Sequence, residues 1–513
     1  MSYLMGIDVG TTGTRTVIVR PDGHVMTAAT GDHQPMRMAR PGWAEQDPAD
    51  WWQATIAAVR AALSQAQLTG SDIEAVGLSG QMHGVVLLDR ANTVLRPSLI
   101  WCDQRSQAQC DWITSRVGVE RLIELVSNPA LTGFSAPKLL WVRDHEPAIF
   151  ERATHFLLPK DFVRFKLTGE FATDVSDASG TLLFDVTHRR WSAEMLAALG
   201  IDGGLLPRAY ESPEVTGEIS REVSLVTGLK AGTPVVAGAG DQAASAVGNG
   251  IVSRGLTSAT LGTSGVIFAY TDSPKLDPKG RIHTFCHAVP GEWHVMGVTQ
   301  GAGLSLRWFR DQLGAAETWY AHQTDADPYD LIIKQAERIR PGSDGLLFLP
   351  YLMGERTPHL DARARGMWFG LTAAHTRGHL IRSILEGVAF SLRDSLEIFK
   401  ELGIPVKQIR ASGGGSRSPL WRQIQADVYG KELVTLRESE GSAFGAALLA
   451  GVGSKTYASV EESARKAIEI REHTEPHHSN AAIYEQLYAV YRDVYPAVRG
   501  LAHRLADAAE SSH

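Results

Sequence analysis

The run Leu4-Met5-Gly6-Ile7-Asp8-Val9, the small-residue turn Gly10-Thr11-Thr12-Gly13 and the β-branched run Thr16-Val17-Ile18-Val19 make one hairpin pattern. The same plan returns near the middle of the chain as Leu256–Leu261, Gly262-Thr263-Ser264-Gly265 and Val266–Tyr270. Gly10 and Gly262 lie 252 residues apart in a chain of 513, which points to two related domains. At roughly 150 residues per domain the length suits two large domains or three ordinary ones, and the repeat favours two. We expect an N-terminal domain over residues 1–246 and a C-terminal domain over 247–513 that carries a helical tail.

Between the hairpins, strand and helix signals alternate. Asp47-Pro48-Ala49-Asp50 combines an N-cap residue, proline at the first helical position and an acid three residues on, so a helix should run to about Leu63. Ile73–Leu78 follows as a strand, giving the order of an α/β or mixed sheet. Later, Val406–Ala411 reads as a strand running into Ser412-Gly413-Gly414-Gly415-Ser416-Arg417, after which Ser418 and Pro419 open a helix to about Tyr429. Gly441 to Ala447 begins a helix whose small residues let a neighbouring backbone come close, and the tail after about Ser454 is charged and helix-prone.

Charge narrows the class of function. Lys and Arg number 50 against 57 Asp and Glu, a net charge of −7, without the basic excess that phosphate backbones or anionic membranes favour. Nucleic acid is therefore not an expected partner. No apolar run approaches the roughly 20 residues of a bilayer span, and no basic segment followed by an apolar stretch opens the chain, so no membrane association is expected. Cys102, Cys110 and Cys286 cannot staple a chain this long, and their odd count fits a reducing compartment; the expectation is cytoplasmic.

A loop of small residues after a strand turns several backbone N–H groups one way, and these with Thr or Ser hydroxyls can hold phosphate oxygens. Gly10 to Thr14, with Arg15 next, and Gly262 to Gly265 both qualify, yet a hairpin turn needs Gly and Thr in any case. Neither has the Lys-Ser/Thr of a Walker loop or the G-x-G-x-x-G spacing. With a third loop at Gly413-Gly414-Gly415, a nucleotide held between two domains becomes as good a reading as three structural turns. Asp8 leaves its strand beside the first loop, where its carboxylate could meet hydrated Mg²⁺ or simply cap the turn. Thr260 holds the matching position in the second hairpin, so charge chemistry belongs to the first. Asp241, in Gly238-Ala239-Gly240-Asp241-Gln242, follows an apolar strand and is either a helix N-cap or a general base among glycines that admit a substrate. Gln81-Met82-His83-Gly84 puts a thioether and an imidazole at a strand end, where a buried, satisfied histidine is the plainer account, and Trp101-Cys102-Asp103 either offers an aromatic face and a carboxylate to a polyol or is plain core and surface. His283, Cys286 and His287 lack a fourth ligand at finger spacing, so zinc is not expected. His375 and His379 share a helical face without the acid of H-E-x-x-H and should be solvated.

Taken in order, these motifs resemble the FGGY family of sugar kinases, over nearly the whole chain. The resemblance rests on Gly6 to Thr12, Ser79 to Gly84, Ile100 to Asp103, Gly133 to Val142, Gly240-Asp241-Gln242, Leu261 to Gly265, Phe348 to Pro358, Gly366 to Leu371 with Glu386-Gly387, and Gly413 to Arg417. Met82-His83, where glycerol kinases typically carry Arg-Glu, and Gly354-Glu355-Arg356-Thr357-Pro358-His359 point to the branch that acts on xylulose. Cys102 departs from the small polar residue, usually Asn, of that pattern.

The resemblance implies two actin-like (ribonuclease H-like) ATPase domains with the active site in the cleft between them, and transfer of the γ-phosphoryl group of ATP to the 5-hydroxyl of D-xylulose. It implies Asp241 as the base and Asp8, with Asp241, as the Mg²⁺ site. It implies sugar contacts from Met82, His83, Trp101, Asp103, Asp241 and Gln242. It implies nucleotide contacts from Gly10, Thr11, Thr12, Thr14, Arg15, Gly262, Thr263, Gly413, Gly414, Gly415, Ser416 and Arg417. A kinase for another pentulose or pentitol, and a non-catalytic ATP switch on the same fold, are the alternatives. A homodimer is one assembly such a chain could adopt; the sequence does not fix it.

Overall fold

In the computed structural model, which describes residues 2–438 and 440–510, the strand Tyr3–Val9 pairs antiparallel with Gly13–Val19 and parallel with Ile73–Gly80. Val25–Asp32 extends the sheet on one side and Pro234–Val236 and Val215–Glu218 on the other. The second hairpin repeats this plan. Leu256–Leu261 pairs antiparallel with Gly265–Thr271 and parallel with Gln408–Ser412, which is parallel to Glu432–Leu436. The turns differ by one residue: Val9 faces Thr14 across the first, Leu261 faces Gly265 across the second.

The helix Pro48–Gln65 starts where its cap signals place it, the Asp47 side chain accepting from the N–H of Ala49. Its buried face, Trp51, Ala54, Thr55, Ala58, Val59, Ala62 and Leu63, recurs at helical spacing and covers the sheet core of Met5, Ile7, Ile18, Val76 and Leu78. Each large apolar side chain so buried contributes about 1.5–3 kcal/mol relative to exposure.

The chain forms two compact units, each assembled from three segments. One comprises Met1–Arg254, Tyr270–His294 and Glu438–Glu469; the other comprises Gly255–Ala269, Val295–Arg437 and Ile470–His513. The helix Gly441–Gly453 belongs to the first because its small residues meet backbone directly. A Cβ on Gly445 would lie 1.8 Å from the carbonyl oxygen of Ala244, and one on Gly6 would lie 1.9 Å from that of Ala443. The late helix thus packs on both the first strand and the helix Asp241–Gly248.

One expectation fails locally. His375 lies ahead of the helix Arg377–Glu401, and His379 is buried in its first turn, where Nδ1 accepts from the Thr376 N–H and Nε2 meets Asp344 at 3.1 Å. His379 caps the helix and His375, ahead of it, accepts from the Thr372 N–H, so the pair does not share a solvated helical face. Among the described residues, no helix is long and apolar enough to cross a membrane.

Candidate active site

In the first unit the site forms where strands end. Carbonyl oxygens of the Gly10-Thr11-Thr12 turn are used internally: Gly10 and Thr11 accept from Gln81 and Gln46 side chains, and Thr12 from the N–H of His33. No backbone carbonyl among the described residues takes the N–H of Thr11 or Thr12, and Thr12 is exposed, so the donors remain the turn's open polar face. Two neighbours are committed elsewhere. Thr14 is fully buried with its hydroxyl 2.9 Å from the His33 ring, and Arg15 forms an ion pair with Glu440 at 2.6 Å.

Asp8 ends the strand beside this turn. Its Oδ1 is buried without a hydrogen-bond partner among the described residues, and burial raises its pKa against the opposing influence of Ser442, Ser79 and Arg15. Asp241 opens the helix Asp241–Gly248. Burial, then the charge of Asp8, pushes it up to about 7, while Gln242 works in the other direction. Both carboxyls keep some accessible surface, yet protein atoms crowd each closely enough to cost hydration. Two mutually repelling carboxylates with an orphaned oxygen suit a divalent cation that brings its own water and phosphate ligands, as Mg²⁺ does. Among the described residues no cluster of three or more His, Cys, Asp or Glu is placed to hold a metal alone.

Met82 is packed against the approach to Asp241; a Cβ on Gly240 would sit 2.9 Å from its Cγ. His83 takes φ 71°, and its Nδ1–H donates to the Gly180 carbonyl at 2.6 Å. Trp101 is half exposed with its Nε1–H on the Thr11 hydroxyl at 3.0 Å. Asp103 is fully buried and its carboxylate is consumed by Arg105 and the N–H of Ala44, which makes it a brace for the loop.

Behind these residues lies a group the sequence reading did not find. Lys160, fully buried, meets Asp161 at 2.6 Å, Asp174 at 2.8 Å and Asp177 at 3.4 Å. Burial works against its charge, but the three carboxylates outweigh that and hold it protonated. Asp177 is driven well above the carboxylate range by burial, with Asp161, Asp174 and Asp241 adding to it against Lys160. Asp174 accepts from the Ser176 hydroxyl, which accepts in turn from the N–H of Gly240, so the cluster supports the residue that precedes Asp241.

The second unit contains a cavity of about 510 Å³ lined by Leu261, Gly262, Thr263, Gly303, Arg307, Asp327, Tyr329, Asp330, Gly414, Gly415, Arg417 and Trp421, among others. Gly262 and Thr263 expose their loop while their carbonyls accept from the N–H groups of Gly303 and Leu304. Gly414 has open space where a Cβ would stand. Gly413 and Ser416 do not line the cavity: Gly413 packs on Leu261 at φ 79°, and Ser416 donates its hydroxyl back to Gly413. Arg307, Asp327, Tyr329 and Asp330 escaped the sequence reading, although Asp327-Pro328-Tyr329-Asp330 repeats the cap pattern of Asp47-Pro48-Ala49-Asp50.

Two α/β units of duplicated topology, one with a carboxylate pair at its strand ends and one with a cavity of about 510 Å³ beside a glycine loop, carry the actin-like ATPase fold of the sugar kinases. The N-terminal domain of the FGGY family of carbohydrate kinases matches residues 3–248, and its C-terminal domain matches 257–454. The chain belongs to that family. It is 39% identical over 501 residues to a xylulose kinase of Bacillus subtilis (strain 168), covering 98% of each chain. It is 41% identical over 461 residues to one of Escherichia coli (strain K12), covering 89% of this chain and 91% of the relative. The crystal structure of a xyloylose kinase from Brucella ovis superposes with a TM-score of 0.88 at 37% identity, covering 97% of this chain and 100% of that one.

Proposed function

We propose that the protein transfers the γ-phosphoryl group of ATP to the 5-hydroxyl of D-xylulose. The observation that carries this is Asp241, a carboxyl whose basicity burial and Asp8 raise, directly following Gly240, against which Met82 packs. Asp241 accepts the proton as the hydroxyl oxygen bonds to phosphorus and the bond to the β-phosphate bridging oxygen breaks, leaving ADP. Phosphoryl transfer depends mostly on placement and charge stabilisation, so a base poised near neutrality suffices. Asp8 and Asp241 would hold Mg²⁺, which when bound neutralises phosphate charge. The turn N–H groups around Thr12, and the loop at Thr263, take phosphate oxygens, and the cavity at Gly414, Gly415 and Arg417 takes the adenosine. Because the donor is ATP, the reaction belongs in the cytoplasm.

A kinase for another pentulose or pentitol is the second reading, favoured by Cys102, half-buried between Trp101 and Asp103 where the family pattern has a small polar residue. Sugar-dependent ADP release by the purified protein decides. D-xylulose should be used at least tenfold better than glycerol, L-ribulose or D-ribulose. A preference for any of these rejects the sugar, and ADP release that no sugar stimulates rejects a kinase in favour of an ATP switch.

A further inference from the structure

Lys138 is fully buried, as is Lys160, but no carboxylate among the described residues lies within ion-pair distance of it. It also stands in the first turn of the helix Ser135–His145, the end whose dipole repels a cation. Burial lowers the Lys138 pKa to about 7 against the favourable charge of Asp103, so holding an ammonium here, at the helix end that disfavours a cation, is a cost that fold stability does not call for. Its ammonium instead donates to two carbonyl oxygens, those of Gly133 and, at 3.2 Å, His83. The Ser135 hydroxyl donates to the same His83 oxygen at 3.1 Å.

His83 is thereby held on every side. Its backbone lies in the left-handed region at φ 71°, a conformation unfavourable for a residue with a Cβ. Its Nδ1–H is on the Gly180 carbonyl, and its ring lies 5.0 Å from that of Phe134. Two side chains of the helix Ser135–His145, Lys138 and Ser135, both grip this one carbonyl oxygen.

We propose that Lys138 is a positioning residue for sugar recognition: by gripping the His83 carbonyl it fixes the left-handed backbone that presents the imidazole to the acceptor sugar. The inference rests on His83 touching the sugar, as proposed above. Lys138 spends stability to keep one side chain aimed.

The test separates these roles. Lys138→Met removes a buried amine whose charged form burial disfavours, so the melting temperature should hold or rise, whereas KM for D-xylulose should rise at least fivefold with KM for ATP unchanged. A lysine that merely braces the helix gives the reverse, a lower melting temperature without a selective change in KM, and overturns the proposal. His83→Ala is the control. If it raises the sugar KM and Lys138→Met does not, the positioning role fails while the sugar contact stands; if neither changes it, the sugar contact itself is wrong and the proposal falls with it. In the double variant the Lys138 effect should vanish, because its route runs through His83. Should Lys138→Met not fold, Ser135→Ala, which removes the second donor to the same oxygen, carries the test: a selective rise in sugar KM supports the grip, and an unchanged KM overturns it.

Discussion

Asp8 and Asp241 repel one another, and that repulsion, added to burial, places the Asp241 carboxyl at about 7. A base must be ionised to accept a proton, so kcat/KM for the sugar should fall with the ionised fraction as the pH drops below about 7. Asp8→Asn removes the repelling charge and should move this acid limb to lower pH, while raising the Mg²⁺ concentration needed for half-maximal rate. A pH–rate series at limiting and saturating Mg²⁺ checks both, and an unshifted limb in Asp8→Asn removes the coupling.

Asp241→Ala should lose on the order of 10²–10⁴ in kcat, the usual contribution of a placed base. Because it deletes a crowded carboxyl, the melting temperature should not fall. Turnover by single-turnover assay and melting by calorimetry separate lost chemistry from lost fold; near-normal kcat rejects the base.

Lys160→Met leaves Asp161, Asp174 and Asp177 buried without their cation. Removing one partner of a buried ion pair costs about 3–5 kcal/mol, so urea unfolding of the first unit should shift to much lower concentration. The contrast with Lys138→Met, where no loss is expected, is itself informative: two buried lysines of one unit respond oppositely because one has carboxylates around it and the other only carbonyls.

Gly445→Ala should be poorly tolerated. Its Cβ would press on the Ala244 carbonyl at 1.8 Å, and backbone rather than a flexible side chain would have to move. Overpacking typically costs about 1–3 kcal/mol, a fall in melting temperature of about 2–5 °C for a unit of this size. An unchanged melting curve shows that the helix can slide.

In the second unit, burial pushes Asp394 and Glu355 each up to about 7. Folded, they stay protonated where the unfolded chain has already ionised them. Their stabilising contribution is therefore complete below the ordinary carboxylate range and is lost as the pH rises through about 7. Burial holds His359 down at about 4, which acts with the opposite sign, so the test is a difference. The melting temperature of wild type minus that of Asp394→Asn should decline from pH 5 to 7 and level off above. A flat difference rejects the raised pKa.

Strand ends announce themselves in sequence because the glycine turn, the acid and the following cap sit within a few residues. Asp8, Asp241, Gln81-Met82-His83 and Thr263 were therefore legible, as was the duplicated hairpin. Lys138 and Lys160 were not: a lysine on a helical segment reads as solvated, and only distant segments bury it. Asp174 to Gly180 stayed hidden for the same reason, since its contacts to His83 and Gly240 span dozens of residues. Asp327 and Asp330 were overlooked because a cap signal marks a helix start without showing that the helix faces a cavity. Thr14 and Arg15 look like loop residues by position, but the pleat turns Thr14 inward and Glu440 captures Arg15.

The helix Gly441–Gly453 has a bearing on how the protein is made. Its backbone seats against Gly6 and the helix that begins at Asp241, so the unit that leaves the ribosome first lacks a central layer until residue 453 has emerged. Domains generally fold in order of synthesis, but here the first to start cannot finish until nearly the whole chain exists. Truncation anywhere before that helix should therefore strip the carboxylate site of its support, and a translation product stalled in the second half should present the open face of the N-terminal sheet to chaperones.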